Sequence, residues 1–330
     1  MDDITKKNEV EIIFICYHYL KRNDAYHRIW GYSFDIFKSQ IDFISNEYQP
    51  VSFERFINFL AKEEDLPLKC CVFSFDDGLV EHAELIAPYL YKKNISALFF
   101  PPTCIFTNEM AIPQIIHFYT AKYGIKNFYS VLKKYFKVTG LSWDNYFHAV
   151  DPVSTNDILQ FYSQIKVVLY KLLPPIALKL LLQTIFESVL LKDDPQILDK
   201  VYMNKKHLTN LKKMGHAVGC HTHSHLYLQD NILTDKFIQA EILNPKSILE
   251  EIIDKKISVF AYPFGGNIKE FDIKNWADIL RQIGFKYAVN AYRVFSGDKI
   301  FNPFWIERYS VQGEDNNSDI IKKVYKYHFV

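Results

Sequence analysis

Short apolar runs alternate with segments of helical spacing along most of this chain, and that alternation restricts the fold more than any other feature. Runs able to form buried parallel strands occur at Ile12–Tyr17, Cys71–Phe75, Ile95–Phe100, Ala217–Cys220, Val259–Ala261, Tyr287–Val289 and Trp305–Val311. Between them, Phe34, Phe37, Ile41 and Ile44 recur at three- and four-residue steps, as do Phe53, Phe56, Ile57 and Leu60, and then Leu85, Ile86 and Leu90. Later come Leu208 to Met214, Ile238 to Ile253, and Ile279 to Ile283, which closes at Gly284, a residue that can take the left-handed conformation ending a helix. Strands alternating with helices imply a parallel sheet with right-handed crossovers. At 330 residues the chain suits one α/β barrel of roughly 250 residues carrying an insertion.

One region breaks the alternation. From Ile105 to Val201 the chain reads as several helices without a convincing strand; Leu169, Leu172 and Leu173 precede Pro174-Pro175, and an apolar helix runs on to Leu191. The expected division is therefore a barrel from 1–104 and 202–330, with a helical insertion over 105–201. The insertion could be a lid, a dimerisation face or a passive elaboration.

Two short pieces, far apart in sequence, carry the chemistry. Phe75-Asp76-Asp77-Gly78 ends one apolar run, and His221-Thr222-His223-Ser224-His225 follows another. Alone, Asp-Asp-Gly after a strand is commonly a turn, and the histidines could be core or capping residues. Together they are the parts of a hydrolytic divalent-metal site. One Asp and two His can hold three positions on a Zn²⁺-like ion and leave one for water, while the other Asp acts as a base. His223 alternates onto the opposite side if the segment stays extended. A third piece, Phe260-Ala261-Tyr262-Pro263-Phe264-Gly265-Gly266, is a strand running into a turn that can aim a backbone N–H at a developing oxyanion.

These motifs resemble those of polysaccharide deacetylases of the NodB-homology type, carbohydrate esterase family four. Ser74-Phe75-Asp76-Asp77-Gly78 matches the first motif of that family, His221-Thr222-x-Ser224-His225-x-x-Leu228 the second, and Tyr262-Pro263-Phe264-Gly265 a variant of the third. The resemblance covers roughly residues 10–104 and 200–312. It implies a deformed (β/α)7-type barrel with parallel strands. It also implies Asp76 as general base, Asp77, His221 and His225 as metal ligands, and the Phe264 N–H as an oxyanion donor.

The chain departs from the family pattern in three places. Ala261 stands where members usually carry the Arg that steadies the catalytic Asp. The Asp/Trp motif expected near the next strand is not visible in Tyr287-Ala288-Val289-Asn290. The late Leu-x-His that supplies a general acid is missing, since Trp305-Ile306-Glu307-Arg308-Tyr309 contains no His. The first run, however, ends in Ile15-Cys16-Tyr17-His18, resembling the Tyr-His signature of a branch whose acid motif lies at the N-terminus. His18 is then the expected acid, facing the metal from the side opposite Asp76. A structural hydrogen bond is the bland alternative for this histidine.

The chemistry these residues suit is removal of an N-acetyl group from an N-acetylated sugar or glycan. An amide is a poor electrophile and its amine must be protonated to leave, which fits a metal, an Asp base and a His acid. Zn²⁺ is the default ion, with Co²⁺, Ni²⁺ or Fe²⁺ also fitting. The same scaffold could cut another C–N bond, such as a formamide on a lipid- or nucleotide-linked sugar. A third reading is a catalytically weak barrel that binds a carbohydrate or partner. The formal net charge of +1 gives no electrostatic reason to expect nucleic acid as partner. Apolar stretches such as Ile176 to Leu191 are broken by Lys179, Gln183 and Glu187, so no membrane span is expected. Five cysteines, an odd count, sit mostly in or beside strand-like runs and read as buried free thiols. Met1-Asp2-Asp3-Ile4-Thr5-Lys6-Lys7 lacks the pattern of a signal peptide, so the expected location is cytoplasmic. The sequence is silent on oligomeric state.

Overall fold

A computed structural model of the chain describes residues 9–21, 31–140, 142, 161–162, 165, 169–170, 173–228, 233–265, 272–293, 295, 301–312 and 315–329. All seven expected strand runs contain strand. They are β1 (Val10–Tyr17), β3 (Lys69–Asp76), β4 (Ala97–Phe100), β5 (Ala217–Val218), β6 (Val259–Ala261), β7 (Tyr287–Val289) and β8 (Tyr309–Ser310). Helices fall where the apolar spacing put them: α1 (Phe34–Glu47) and α2 (Phe53–Leu60) start at Ser33 and Ser52, whose side chains accept from the first-turn amides of Ile36 and Arg55, and α3 (Ala87–Lys92) follows β3.

Parallel pairing runs in the order β5-β4-β3-β1-β8, and β6 pairs with β7. Parallel bridges continue that ladder from Cys220 to Phe260 at one end and from Val289 to Ile306 at the other. Hydrogen bonds follow it throughout: Cys220 N donates to Val259 O at 3.1 Å, Ala261 N to Cys220 O at 2.8 Å, and Asn290 N to Ile306 O at 2.9 Å. The ladder thus passes from β1 through β3, β4, β5, β6, β7 and β8 and returns to β1.

Two further strands are additions to the expected set. β2 (Gln49–Pro50) runs parallel to β3, whereas β9 (Lys326–Phe329) pairs antiparallel with β1, from Val10↔Phe329 to Ile13↔Lys326. β9 thus adds one antiparallel strand to a sheet whose other pairings are the expected parallel ones. β8 reaches only Ile15 and Cys16 of β1, leaving the first half of that strand an open edge. β9 covers it, with Tyr327 buried and Lys326 exposed.

Side-chain alternation along the strands divides the core. Ile12, Phe14, Cys70, Val72, Leu98, Phe100, Val259, Ala261, Val289 and Ile306 share one cluster within the ring. Ile13, Ile15, Tyr17, Cys71, Phe73, Phe75 and Phe99 belong to the other, larger cluster with the helices. The five cysteines are buried and free, as read from the sequence. Among its described residues the 105–201 segment holds α4 (Ile112–Tyr123), α5 (Ile125–Thr139), α6 (Pro175–Ile185) and the short helix Ile197–Val201. No described helix is long and apolar enough to cross a membrane.

Candidate active site

The inward faces of β1 and β3 carry apolar residues at one end and polar or polarisable ones at the other. On β3 the series Cys70, Val72, Ser74, Asp76 points the same way, and on β1 the series Ile12, Phe14, Cys16 continues to His18. Cys16 pairs with Ser74 in the parallel register, which brings His18 beside Asp76 one pleat further on. Their Nε2 and Oδ2 atoms are 3.9 Å apart. His18 therefore stands at the carboxyl-end rim next to Asp76, not across the site from it. Local pattern alone does not show that β3 flanks β1, and it is that adjacency which puts the two side chains together.

Asp76 has a partner the sequence reading missed. Arg308 Nη1 donates to Asp76 Oδ1 at 2.8 Å and Nη2 to Oδ2 at 2.7 Å, a bidentate pair with both side chains buried. The same guanidinium donates from Nη1 to Ser74 Oγ at 2.9 Å and from Nε to Asn290 O at 2.7 Å, and lies over the Phe100 ring. Burial opposes ionisation of Asp76, but the charge of Arg308, the largest opposing influence, holds the carboxyl at about 2. Arg308, immediately before β8, thus makes with Asp76 the pair that Ala261 cannot make. The segment Trp305–Tyr309, which lacks the family's histidine, holds this arginine instead.

Asp77 turns away from the strand with a left-handed φ of 76°, and Gly78 follows at 64°. A Cβ on Gly78 would come within 2.8 Å of Pro101 and Ile105, so the turn requires glycine on both counts. Asp77 Oδ1 lies 3.7 Å from His221 Nε2 and 3.3 Å from His225 Nε2. Ligands at 2.0–2.2 Å from a tetrahedral ion are separated by about 3.4 Å, so this spacing fits one shared cation. Asp77 Oδ1 and His221 Nε2 are moreover buried without a hydrogen-bond partner, an arrangement that burial alone would penalise. His221 Nδ1 donates to Ala261 O at 2.9 Å, which leaves Nε2 unprotonated and available. His225 is fixed by packing, edge-on to His221 and to Phe264 with centroids 4.6 and 4.7 Å away.

His223 points elsewhere, as its alternation suggested. Its Nδ1 sits 2.9 Å from Thr103 Oγ1 and its Nε2 3.5 Å from Glu109 Oε2. Phe264 has φ 59° within the Pro263–Gly265 turn, and its ring packs on Tyr170 and Tyr227 at 4.7 and 5.8 Å. Gly266, the end of that motif, lies outside the described residues. Left-handed backbone at Asp77, Thr222, His225 and Phe264 concentrates strain in the segments that carry the site.

His18 is held through its backbone. Its N–H donates to Tyr32 Oη at 3.2 Å, and its carbonyl accepts from His82 Nε2 at 2.7 Å. Burial, partly offset by that bond, pushes His82 down to about 4, so His82 is neutral and its ring N–H donates. The His18 imidazole itself is part-exposed at 30%, open to a ligand.

The 105–201 segment meets three of the site's segments. Tyr19 Oη, next to His18, lies 2.9 Å from His117 Nδ1 of α4. Glu109, beside His223, pairs with Lys179 of α6 at 3.0 Å. Tyr170 packs on Phe264. On leaving the segment the chain returns to the first motif, where Met203 N donates to Gly78 O at 2.9 Å.

Comparisons with known proteins agree with the resemblance read from the motifs. Residues 196–288 match the family model described as polysaccharide deacetylase, a stretch that includes His221 and His225 but precedes Arg308 and follows Asp76. No curated protein matches the chain. Among solved structures, Streptococcus pyogenes deacetylase PplD in complex with acetate is similar at 12% identity and a TM-score of 0.58, over 96% of this chain and 99% of that one. A de-N-acetylase from Aggregatibacter actinomycetemcomitans is similar at 15% identity and 0.55, over 94% and 99%. IcaB from Ammonifex degensii is similar at 17% and 0.52, over 92% of each chain. At such identities the likeness is one of fold, and it extends over nearly the whole chain.

Proposed function

We propose that this protein is a metal-dependent hydrolase that removes the N-acetyl group from an N-acetylated sugar or glycan. The observation that carries the reading is the convergence of Asp77, His221 and His225, at spacings suited to one ion, beside an Asp76 held ionised by Arg308. The family match and the likeness to a deacetylase and a de-N-acetylase support the same chemistry.

In this reading Asp77, His221 and His225 hold the cation, with Zn²⁺ the default for one carboxylate and two imidazoles. Such an ion polarises an amide carbonyl and makes water acidic enough to attack at neutral pH. Asp76 takes the proton of the attacking water. The bidentate bond from Arg308 fixes the direction of its oxygens, so the carboxylate needs no reorganisation as the proton arrives. The Phe264 N–H lies in the turn suited to stabilising negative charge on the former carbonyl oxygen. His18 gives a proton to the departing amine. Its position beside Asp76 makes a further exchange available, because a proton gained by the base can pass 3.9 Å to the imidazole through a small movement or one water. Helices of the 105–201 insertion frame the substrate, with Tyr170, Tyr227 and Phe264 as the apolar wall.

The test is release of acetate from N-acetylated amino-sugar oligomers by the Zn²⁺- or Co²⁺-loaded protein, with Asp76→Asn as control. Acetate from the wild type and none from the variant supports the reading. Formate released from the matching N-formyl substrate in place of acetate would assign a deformylase. Binding of the sugar without release of either acid would leave a carbohydrate-binding barrel.

A further inference from the structure

The loop carrying the two histidine ligands has an unfavourable backbone. Thr222 and His225 take φ of 63° and 55°, a conformation unfavourable for residues with a Cβ that persists only where the surroundings impose it. The backbone bonds show what imposes it. The carbonyls of Thr222, His223 and Ser224 accept from Thr103 N, Cys104 N and Ile112 N at 3.1, 3.0 and 3.3 Å. His225 N donates to Thr222 Oγ1 at 3.1 Å. Two further amides converge on one side chain: His223 N and Ser224 N donate to Glu241 Oε2 at 3.2 and 2.8 Å. Ser224 Oγ adds a bond to Oε1 at 2.9 Å.

Successive amides that converge in this way form a concavity suited to an anion. Here the anion is the chain's own carboxylate. Glu241 is buried, with 4% of its surface exposed, and it enters no ion pair among the described residues. It projects from the middle of a π-helical turn, Gln239–Leu243, set between the α-helices Asp235–Ile238 and Asn244–Ile253. A π-turn inserts an extra residue and re-aims the side chains around it, and such turns are frequent at functional sites.

We infer that Glu241 is a positioning residue of the metal centre, which fixes the spacing of His221 and His225 by gripping the two amides between them. The inference rests on the metal reading above. Both imidazoles must reach one ion, and a loop of two strained residues has no intrinsic reason to keep them 4.6 Å apart at 88°. Partners of this kind, one step beyond the ligands, typically change metal affinity by 10–100-fold when lost.

The test is titration of the apo protein with Co²⁺ alone, read by its visible absorption and by competition with a chelator. Glu241→Gln keeps the size of the side chain, but the Ser224 hydroxyl must turn to accept from the new NH2, and the neutral amide oxygen left to the His223 and Ser224 N–H groups is a weaker acceptor than a carboxylate oxygen. Co²⁺ affinity is expected to fall about 10–100-fold, with a changed absorption band from the altered ligand geometry. Ser224→Ala removes one bond of three and should lower affinity several-fold, and it carries the test if Glu241→Gln fails to fold. A purely structural role predicts a lower apo melting temperature with an unchanged Co²⁺-induced increment. That result, or a dissociation constant within twofold of wild type in either folded variant, overturns the inference. Failure of the wild type to bind Co²⁺ would overturn the metal reading itself.

Discussion

Replacing Arg308 by methionine isolates the buried pair at the heart of the proposed site. Asp76 is lowered from an ordinary 3.8 to about 2, worth about 2 kcal/mol of preference for its ionised form. Without Arg308 that preference is lost, burial acts unopposed by its main counter-charge, and the Asn290 carbonyl loses its 2.7 Å donor. Breaking a buried pair from one side typically costs about 3–5 kcal/mol, and that range is expected for Arg308→Met in urea unfolding at pH 7. A chelator in the buffer keeps ion binding from contributing. Asp76→Asn/Arg308→Met, which leaves no unpaired charge, should recover at least about 2 kcal/mol relative to the sum of the single changes. The pH dependence has a defined sign. In the wild type the Asp76 contribution is present above about 3.8 and is lost as pH falls through about 2. In Arg308→Met, burial raises the carboxyl, which takes up a proton on folding, so the gap to wild type should narrow as pH falls. Additivity of the two single changes within about 0.5 kcal/mol would refute the reasoning, since no coupling would then link the pair.

Three other outcomes are expected. Asp76→Asn should abolish acetate release while metal content, measured by elemental analysis, stays near wild type; Asp77→Asn and His221→Ala should lose both. His18→Ala should slow amide cleavage by about 10²–10⁴-fold but affect an aryl ester much less, because a phenolate leaves without a proton; equal damage to both substrates assigns His18 to positioning. Stripping the protein with chelator should lower its melting temperature reversibly, and Zn²⁺ at a thousand times its dissociation constant should restore about 4 kcal/mol.

The strand runs and the cluster of Asp77, His221 and His225 were legible because each depends on local pattern. Apolar runs mark β1, β3, β4, β6 and β7 wherever they are folded, and Asp77, His221 and His225 follow strand ends, where a parallel sheet gathers its loops. Residues whose role depends on register were not. Arg308 lies 232 positions from Asp76 in sequence, and only the sequence of neighbours β8, β1, β3 brings it inward. The same register explains His18, whose rim position followed from the end of β1 but whose side depended on knowing that β3 is adjacent. Glu241 gave no signal, since its place on an amphipathic helix resembles that of any surface carboxylate until the π-turn rotates it inward. β9 was missed because Lys326–Phe329 is short and closes an edge that exists only once β8 has been placed.

The ring of strands is not equally strong around its circumference. β1 and β3 are paired over seven positions, from Glu11↔Lys69 to Tyr17↔Phe75, whereas β5 meets β6 through a single bridge at Cys220↔Phe260 with two backbone bonds. His221 stands immediately beyond that bridge, and its ring closes a third bond across the same gap, to Ala261 O. A side chain suited to chemistry is therefore also a fastener. Like the clasp of a hoop, it holds the circumference shut where the weave is thinnest. Under the proposed function this histidine serves turnover and mechanical closure at once, and the second role holds with or without the first.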